Sequence, residues 1–217
     1  MTEPDVALTD YALAVECAAF AIWIYVRGSP VKFRRWLVLF FAAAAIAPLA
    51  GGTVHGFFLD EASLGAQILW PLALAAVGVA ALAGWAIAAK LVLSEAAARV
   101  AVGAACVQLG VYAALLLAGR ESFWVAIAAY LPATIALLSA IVWRAHGGNF
   151  PGARVAALGL ALTLAAAVLQ QARVDLHPTW FTHNALYHAV QAIGFALFFA
   201  GSRRWVCVRP TGEDVPC

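Results

Sequence analysis

Seven apolar stretches follow one another along the chain, each about as long as a membrane-spanning helix. They cover residues 8–27, 36–58, 65–89, 96–118, 122–143, 153–172 and 183–201. An α-helix needs about 20 apolar residues to cross the hydrocarbon core of a bilayer. The stretches are separated by charged residues, proline or glycine, and they lack the period-two alternation that is typical of strands. The pattern predicts an all-α, polytopic integral membrane protein with seven transmembrane helices.

Composition and charge agree with this fold class. The chain is 65% hydrophobic and 11% charged, whereas ordinary soluble domains are about 25% charged. Its net charge of +2 is too small to indicate a nucleic-acid partner. If the amino terminus lies outside, eleven lysines and arginines fall on the cytoplasmic side and only Arg120 and Arg173 outside, as the positive-inside rule favours. We therefore predict an amino terminus outside, a seven-helix domain over residues 1–203, and a short cytoplasmic tail over residues 204–217.

Histidines interrupt the apolar pattern, and most of them fall on one side of the predicted topology. His146 belongs to a cytoplasmic loop, but the other four occupy the predicted outer side: His55, His177, His183 and His188. Ionisable side chains at membrane depth are costly, and they therefore often mark a functional site. We expect His55 and His188 to lie at similar depth, because the second helix ends outside and the seventh begins there.

Three carboxylates are candidates for acid–base chemistry near these histidines. Asp10 opens the first helix, and Glu16 lies about 9 Å deeper at the rise of an α-helix. Asp60 follows the second helix. The inner half of the predicted bundle carries few polar groups, whereas a transmembrane conduit needs them through the full thickness. The polar residues thus indicate an outward-facing pocket.

The start of the seventh helix carries the densest group of polar side chains. Asn184, Tyr187 and Gln191 form a stripe that would contact a ligand or cofactor beside His188. His183 and His188 are five residues apart, which places them about 140° apart around an ideal helix. They could share a metal ion if His183 precedes the first helical turn.

Together these features resemble the superfamily of alkaline ceramidases and progestin/adiponectin receptors. The chain has seven helices, a carboxylate in the first at Glu16, and a histidine near the end of the second at His55. Asn184-Ala185-Leu186-Tyr187-His188 is similar to the His-x-x-x-His stretch that opens the seventh helix of that family, with Asn184 in place of its first histidine. Members are zinc-dependent intramembrane amide hydrolases, or receptors suspected of that activity. The chain resembles a divergent bacterial branch, which implies the inner (plasma) membrane.

The resemblance implies a zinc-dependent hydrolase of a lipid amide or ester that enters from the outer leaflet. His55 and His188 would be zinc ligands, and we expect His183 to be the third. Zinc lowers the pKa of its bound water toward neutrality, so that a nearby carboxylate can take the proton. Glu16, Asp60 and Asp10 are the candidates for that role. Asn184 would cap the helix and orient the rings as a hydrogen-bonding neighbour.

Two other functions fit the same residues. One is a non-enzymatic protein that binds a membrane lipid or a small ligand without metal. The other is a haem protein, with His55 and His188 as axial ligands from two helices. A retinal protein is excluded because the two lysines, Lys32 and Lys90, lie outside the seventh helix.

Overall fold

The computed structural model describes residues 1–148 and 150–207, and over this part the regular structure is helical. Each of the seven α-helices is long and apolar enough to cross a membrane. Their bounds are Pro4–Arg27 (α1), Arg34–Phe57 (α2), Leu64–Val92 (α3), Glu95–Leu117 (α4), Phe123–His146 (α5), Ala153–Gln171 (α6) and His183–Ser202 (α7). A short 3₁₀ helix, Arg203–Trp205, follows. The seven predicted helices are confirmed.

The helix boundaries follow local signals in the sequence. The boundary between α3 and α4 falls at Leu93 and Ser94, both in extended backbone. The Ser94 side chain accepts a hydrogen bond from the Ala97 N–H and so caps α4. Such a cap satisfies one of the N–H groups that the first turn of a helix leaves without a partner. This cap marks the division of the nearly continuous apolar stretch 64–117 into two helices.

Six helices form a closed ring, and the remaining helix, α4, packs on its outside. In the order α1, α2, α3, α5, α6 and α7, each packs against the next, and α7 returns to α1. α4 lies against α3, with a smaller contact to α5. Two polar residues on α4 hold it there, since the Tyr112 hydroxyl donates to the Leu74 carbonyl at 3.0 Å and the Gln108 amide donates to the Ala129 carbonyl at 3.0 Å.

The two ends of the bundle differ in charge. Of the 13 lysines and arginines, Arg209 lies outside the described residues. Of the remaining 12, Arg120 and Arg173 lie at the end where α1 begins, and the other ten lie at the opposite end. We call these the histidine end and the basic end. Trp205, the second residue of the predicted tail, is buried at the basic end, and residues 208–217 of that tail lie outside the described residues.

Aromatic side chains fill the ring toward the basic end. Phe40, Phe41 and Phe198 are almost completely buried, and their rings meet at centroid distances of 5.3–5.7 Å. Phe20 stacks on Phe199 at 4.1 Å beside them. Edge-to-face and stacked aromatic pairs stabilise a core beyond the burial of their area. This cluster makes the basic half of the ring an apolar core, and the polar groups that follow belong to the histidine end.

Candidate functional site

A buried acid–base pair links α1 to α7 at the histidine end. The Asp10 Oδ1 atom lies 3.3 Å from the His188 Nε2 atom, and the two side chains are only 4% and 13% exposed. The other ring nitrogen, His188 Nδ1, is buried and has no hydrogen-bond partner within the described residues. Buried polar atoms in folded proteins nearly always have a partner, and an orphan commonly marks a site for water, an ion or a ligand.

A glycine of α2, Gly52, allows the Asp10 segment of α1 to pack closely against α2. A Cβ atom at Gly52 would lie 2.6 Å from the Asp10 Cβ atom and 3.3 Å from the Ala7 carbonyl oxygen, whereas one at Gly51 would lie 3.9 Å from Asp10 Oδ2. Only a residue without a side chain allows α1 to approach α2 this closely at Gly52. Gly52 thus serves close helix packing.

The amino terminus of the chain covers this region. The Glu3 carboxylate contacts His55 Nδ1 at 2.5 Å, and the Glu3 N–H donates to the His55 carbonyl at 3.2 Å. Asp5 Oδ2 accepts hydrogen bonds from the backbone N–H and the hydroxyl of Thr182, at 3.0 and 2.7 Å. Residues 1–5, which we call the amino-terminal strap, therefore join the end of α2 to the start of α7 on the surface side of Asp10.

His183 is held at the surface by a third carboxylate. Asp175 Oδ1 accepts the His183 backbone N–H at 2.5 Å and contacts its Nδ1 atom at 3.0 Å. These hydrogen bonds, from the His183 side chain and then its backbone, lower the pKa of the Asp175 carboxyl below its ordinary value of 3.8. The interaction fixes the first turn of α7, which begins at His183 as the sequence predicts.

Each of the three predicted zinc ligands therefore contacts one carboxylate. His55 contacts Glu3, His183 contacts Asp175, and His188 contacts Asp10. Metal-binding histidines almost always donate their second ring N–H to a carboxylate, a carbonyl or water, which fixes the tautomer. However, no group of three or more His, Cys, Asp or Glu side chains within residues 1–148 and 150–207 is placed to hold a metal ion. Each of the three rings therefore has a carboxylate partner, while zinc binding by them stays a prediction.

Of the predicted polar stripe of α7, which comprises Asn184, Tyr187 and Gln191, Tyr187 lies beside His188 and Asn184 contacts α6. The Tyr187 ring lies 5.0 Å from the His188 ring, centroid to centroid, and Gln191 is half-buried one turn further along α7. Asn184 was expected to cap the helix, and this is wrong, because α7 begins at His183 and the N-cap position falls to Thr182. Asn184 instead lies in the first turn, where its Oδ1 atom accepts a hydrogen bond from Gln170 at 3.1 Å.

Two of the predicted bases lie elsewhere. Glu16 is half-buried on α1, and its Oε2 atom is buried without a hydrogen-bond partner in the described part of the chain. Six residues separate it from Asp10, a rotation of about 120° around an ideal helix, so the two carboxylates face different directions. Asp60 lies in the exposed turn after α2, where its Oδ1 atom accepts the Ala62 N–H at 3.0 Å. Of the three, Asp10 is the carboxylate that contacts a predicted histidine.

Glu3 and Asp5 are the site residues that sequence reasoning missed. They contact residues 52 and 177 positions away in the chain, and only the folded ring brings those positions together. The available signal was the group of acidic residues that precedes the first apolar stretch, on the same predicted side as His55.

Comparison with known families places the chain in one of them. A family described as "Family of unknown function (DUF6962)" matches residues 6–206. The match covers nearly all of the bundle, and the chain belongs to this family. The matched range contains Asp10, His55, His183 and His188, whereas Glu3 and Asp5 precede it. A comparison with curated protein sequences finds no match.

Proposed function

We propose that this seven-helix protein binds a small polar group at His188 without metal, and that the group belongs to a membrane lipid or a small ligand with an amide or a hydroxyl. The observation that carries the proposal is the buried His188 Nδ1 atom without a partner, beside an Asp10 carboxylate only 3.3 Å from Nε2.

The chemistry of the ring determines what this position can bind. A carboxylate beside Nε2 favours the tautomer with its proton on that nitrogen, which leaves a lone pair on Nδ1. Nδ1 then accepts a hydrogen bond, and suitable donors are an amide N–H, a hydroxyl or an ammonium group. α1 and α7 are neighbours in the ring, and both carry exposed apolar side chains such as Leu8 and Ile193. A lipid with a polar headgroup donor meets both requirements.

A binding measurement with purified full-length protein in detergent tests this function. The probe is a short-chain ceramide, which carries an amide N–H and two hydroxyls, and the comparison is a fatty-acid methyl ester, which carries no donor. We expect His188→Ala to weaken ceramide binding by about tenfold, as loss of one buried hydrogen bond implies. His177→Ala is the matched control, because His177 is exposed at the same end and its Nδ1 atom accepts N–H groups of its own loop. Equal binding by the wild type and His188→Ala would overturn the proposal.

Zinc-dependent hydrolysis of a lipid amide or ester is the second candidate, and the three histidine–carboxylate contacts favour it. His55, His183 and His188 would hold the metal, which would supply an activated water. The rings would first have to converge, because in the structure the amino-terminal strap holds His55 and Asp175 holds His183. Stoichiometric zinc in the purified wild type, lost in His188→Ala together with ceramide hydrolysis, would establish this function. The haem alternative is tested on the same sample by its Soret absorption.

We further propose that the histidine end faces the outside and the basic end faces the cytoplasm, in the plasma membrane of a bacterium. The division of ten basic residues against two between the ends supports this orientation, because lysine and arginine are retained on the cytoplasmic side. The ligand would then reach His188 from the outer leaflet.

A further inference from the structure

A crevice of about 400 Å³ opens at the basic end of the bundle, far from His188. Small-molecule sites commonly have volumes of about 300–1,000 Å³. The crevice lies where the connection between α1 and α2, the turn between α3 and α4, and the end of α5 meet. Its lining contains three basic and three aromatic side chains: Lys32, Lys90, Arg144, Phe33, Trp143 and Phe150.

Both lysines of the chain line this crevice, although 58 positions separate them. Lys32 Nζ donates to the Lys90 carbonyl at 3.1 Å, which fixes the α1–α2 connection against the end of α3. Lys90 Nζ lies 3.5 Å from the Glu95 carboxylate, and the Lys90 side chain is only 10% exposed. Among the described residues, ten line the crevice, and none of these is Asp or Glu. Three cations therefore face a space with one carboxylate, Glu95, at its edge.

The start of α4 adds to the positive potential of the crevice. Ser94 belongs to the lining and is the N-cap of this 23-residue helix. The N-terminus of a helix carries a partial positive charge and favours anions. The aromatic side chains hold two of the cations in place, since the Arg144 guanidinium lies 5.0 Å from the centre of the Phe150 ring and Lys32 Nζ lies 5.1 Å from that of Phe33.

We propose that this crevice binds a phosphate group, whose oxygens are contacted by Lys32, Lys90 and Arg144. A guanidinium can bind a phosphate through two parallel hydrogen bonds, and lysines bind it as point charges. Trp143 is 60% exposed beside the crevice, as expected of a tryptophan at the level of lipid headgroups. Basic pockets between helices at this level are suited to anionic headgroups. The phosphate belongs either to an anionic phospholipid or to a free phosphate compound.

Binding of three probes to purified full-length protein in a neutral detergent tests the proposal. The probes are dioctanoyl phosphatidic acid, dioctanoyl phosphatidylcholine and inorganic phosphate, and the readouts are tryptophan fluorescence and melting temperature. We expect Lys32→Gln, Lys90→Gln and Arg144→Gln each to raise the Kd of phosphatidic acid by about tenfold or more, as loss of a charge-assisted hydrogen bond implies. Arg144→Lys should restore part of the affinity because it keeps the charge.

The matched control removes the same charge from the same end of the bundle. Arg204 is exposed at the basic end and does not line the crevice, so Arg204→Gln should change the Kd by less than about twofold, as exposed charges at a distance are screened. If inorganic phosphate raises the melting temperature as much as phosphatidic acid does, the result would support the site and identify a free phosphate compound as the ligand. Phosphatidylcholine should bind more weakly than phosphatidic acid, because its choline offsets the charge of its phosphate. An unchanged Kd of phosphatidic acid in all three crevice variants, or an Arg204→Gln effect as large as that of the crevice variants, would overturn the proposal. Melting of each variant without ligand separates a lost fold from a lost site.

Discussion

The contact between α1 and α2 gives a testable prediction, because the adjacent Gly51 and Gly52 differ in how closely an added Cβ atom would approach Asp10. A Cβ atom at Gly52 would lie 2.6 Å from the Asp10 Cβ atom, whereas a Cβ atom at Gly51 would meet only Asp10 Oδ2, at 3.9 Å. The first distance is shorter than real Cβ contacts, and the second is ordinary van der Waals contact. Gly52→Ala therefore requires α1 to move, and Gly51→Ala does not.

The magnitude follows from the difference between the two variants. Both replacements add one methyl group at neighbouring buried positions of the same helix, and both gain about 0.8–1.0 kcal/mol of helix propensity. This gain cancels in the comparison. Inserting a methyl group into a fully packed contact costs about 1–3 kcal/mol. We therefore expect the free energy of unfolding of Gly52→Ala to be about 1–3 kcal/mol lower than that of Gly51→Ala.

Unfolding in mixed micelles, followed by circular dichroism as a denaturing detergent is added, measures this difference. The wild type is the reference, and Gly51→Ala should match or exceed its stability. Because Asp10 moves with α1, Gly52→Ala should also weaken ceramide binding at His188, whereas Gly51→Ala should leave it within about twofold of the wild type, as an ordinary contact implies. Equal stabilities of the two variants would refute the close approach of α1 to α2.

Three further predictions concern the loop at the histidine end, the outer helix and the orientation. The pKa of Asp175 is lowered in the folded protein, so its contribution to stability is present above the ordinary value and lost as the pH falls through the folded value. The protection factor against hydrogen exchange at the start of α7, taken relative to the intrinsic rate at each pH, should therefore fall below about pH 4 in the wild type. In Asp175→Asn this protection factor should be low and should not change over that range. Tyr112→Phe removes the hydrogen bond to the Leu74 carbonyl and should lower the free energy of unfolding by about 0.6 kcal/mol, the mean for such bonds between membrane helices; a loss above about 2 kcal/mol would contradict this account. A periplasm-active alkaline phosphatase fused to the amino terminus should be active and a cytoplasm-fluorescent protein fused to the carboxyl terminus should fluoresce, and the reverse pattern would contradict the proposed orientation.

The sequence by itself determined the number of helices, and it determined their bounds to within four residues. A helix that spans a membrane must satisfy its backbone hydrogen bonds internally and must expose apolar side chains over about 20 residues. Both requirements act on consecutive residues, and they can therefore be recognised locally. The division at Ser94 is local for the same reason, since the side chain of this one residue caps α4.

The contacts of the site depended on the tertiary structure. The position of each residue along its predicted helix placed Asp10, His55 and His188 at the same end. Asp10 contacts His188, however, only because α7 closes the ring against α1. Glu3 and Asp5 belong to the site only because the amino-terminal strap joins α2 to α7 in the folded chain. In the sequence, Lys32, Lys90 and Arg144 indicated only which side of the membrane is cytoplasmic. The folded chain brings them together at one crevice. Depth follows from the hydrophobic pattern along one helix, whereas these contacts depend on which helices are neighbours and how each is rotated. Packing between distant segments decides both, and the pattern within a single segment does not encode them.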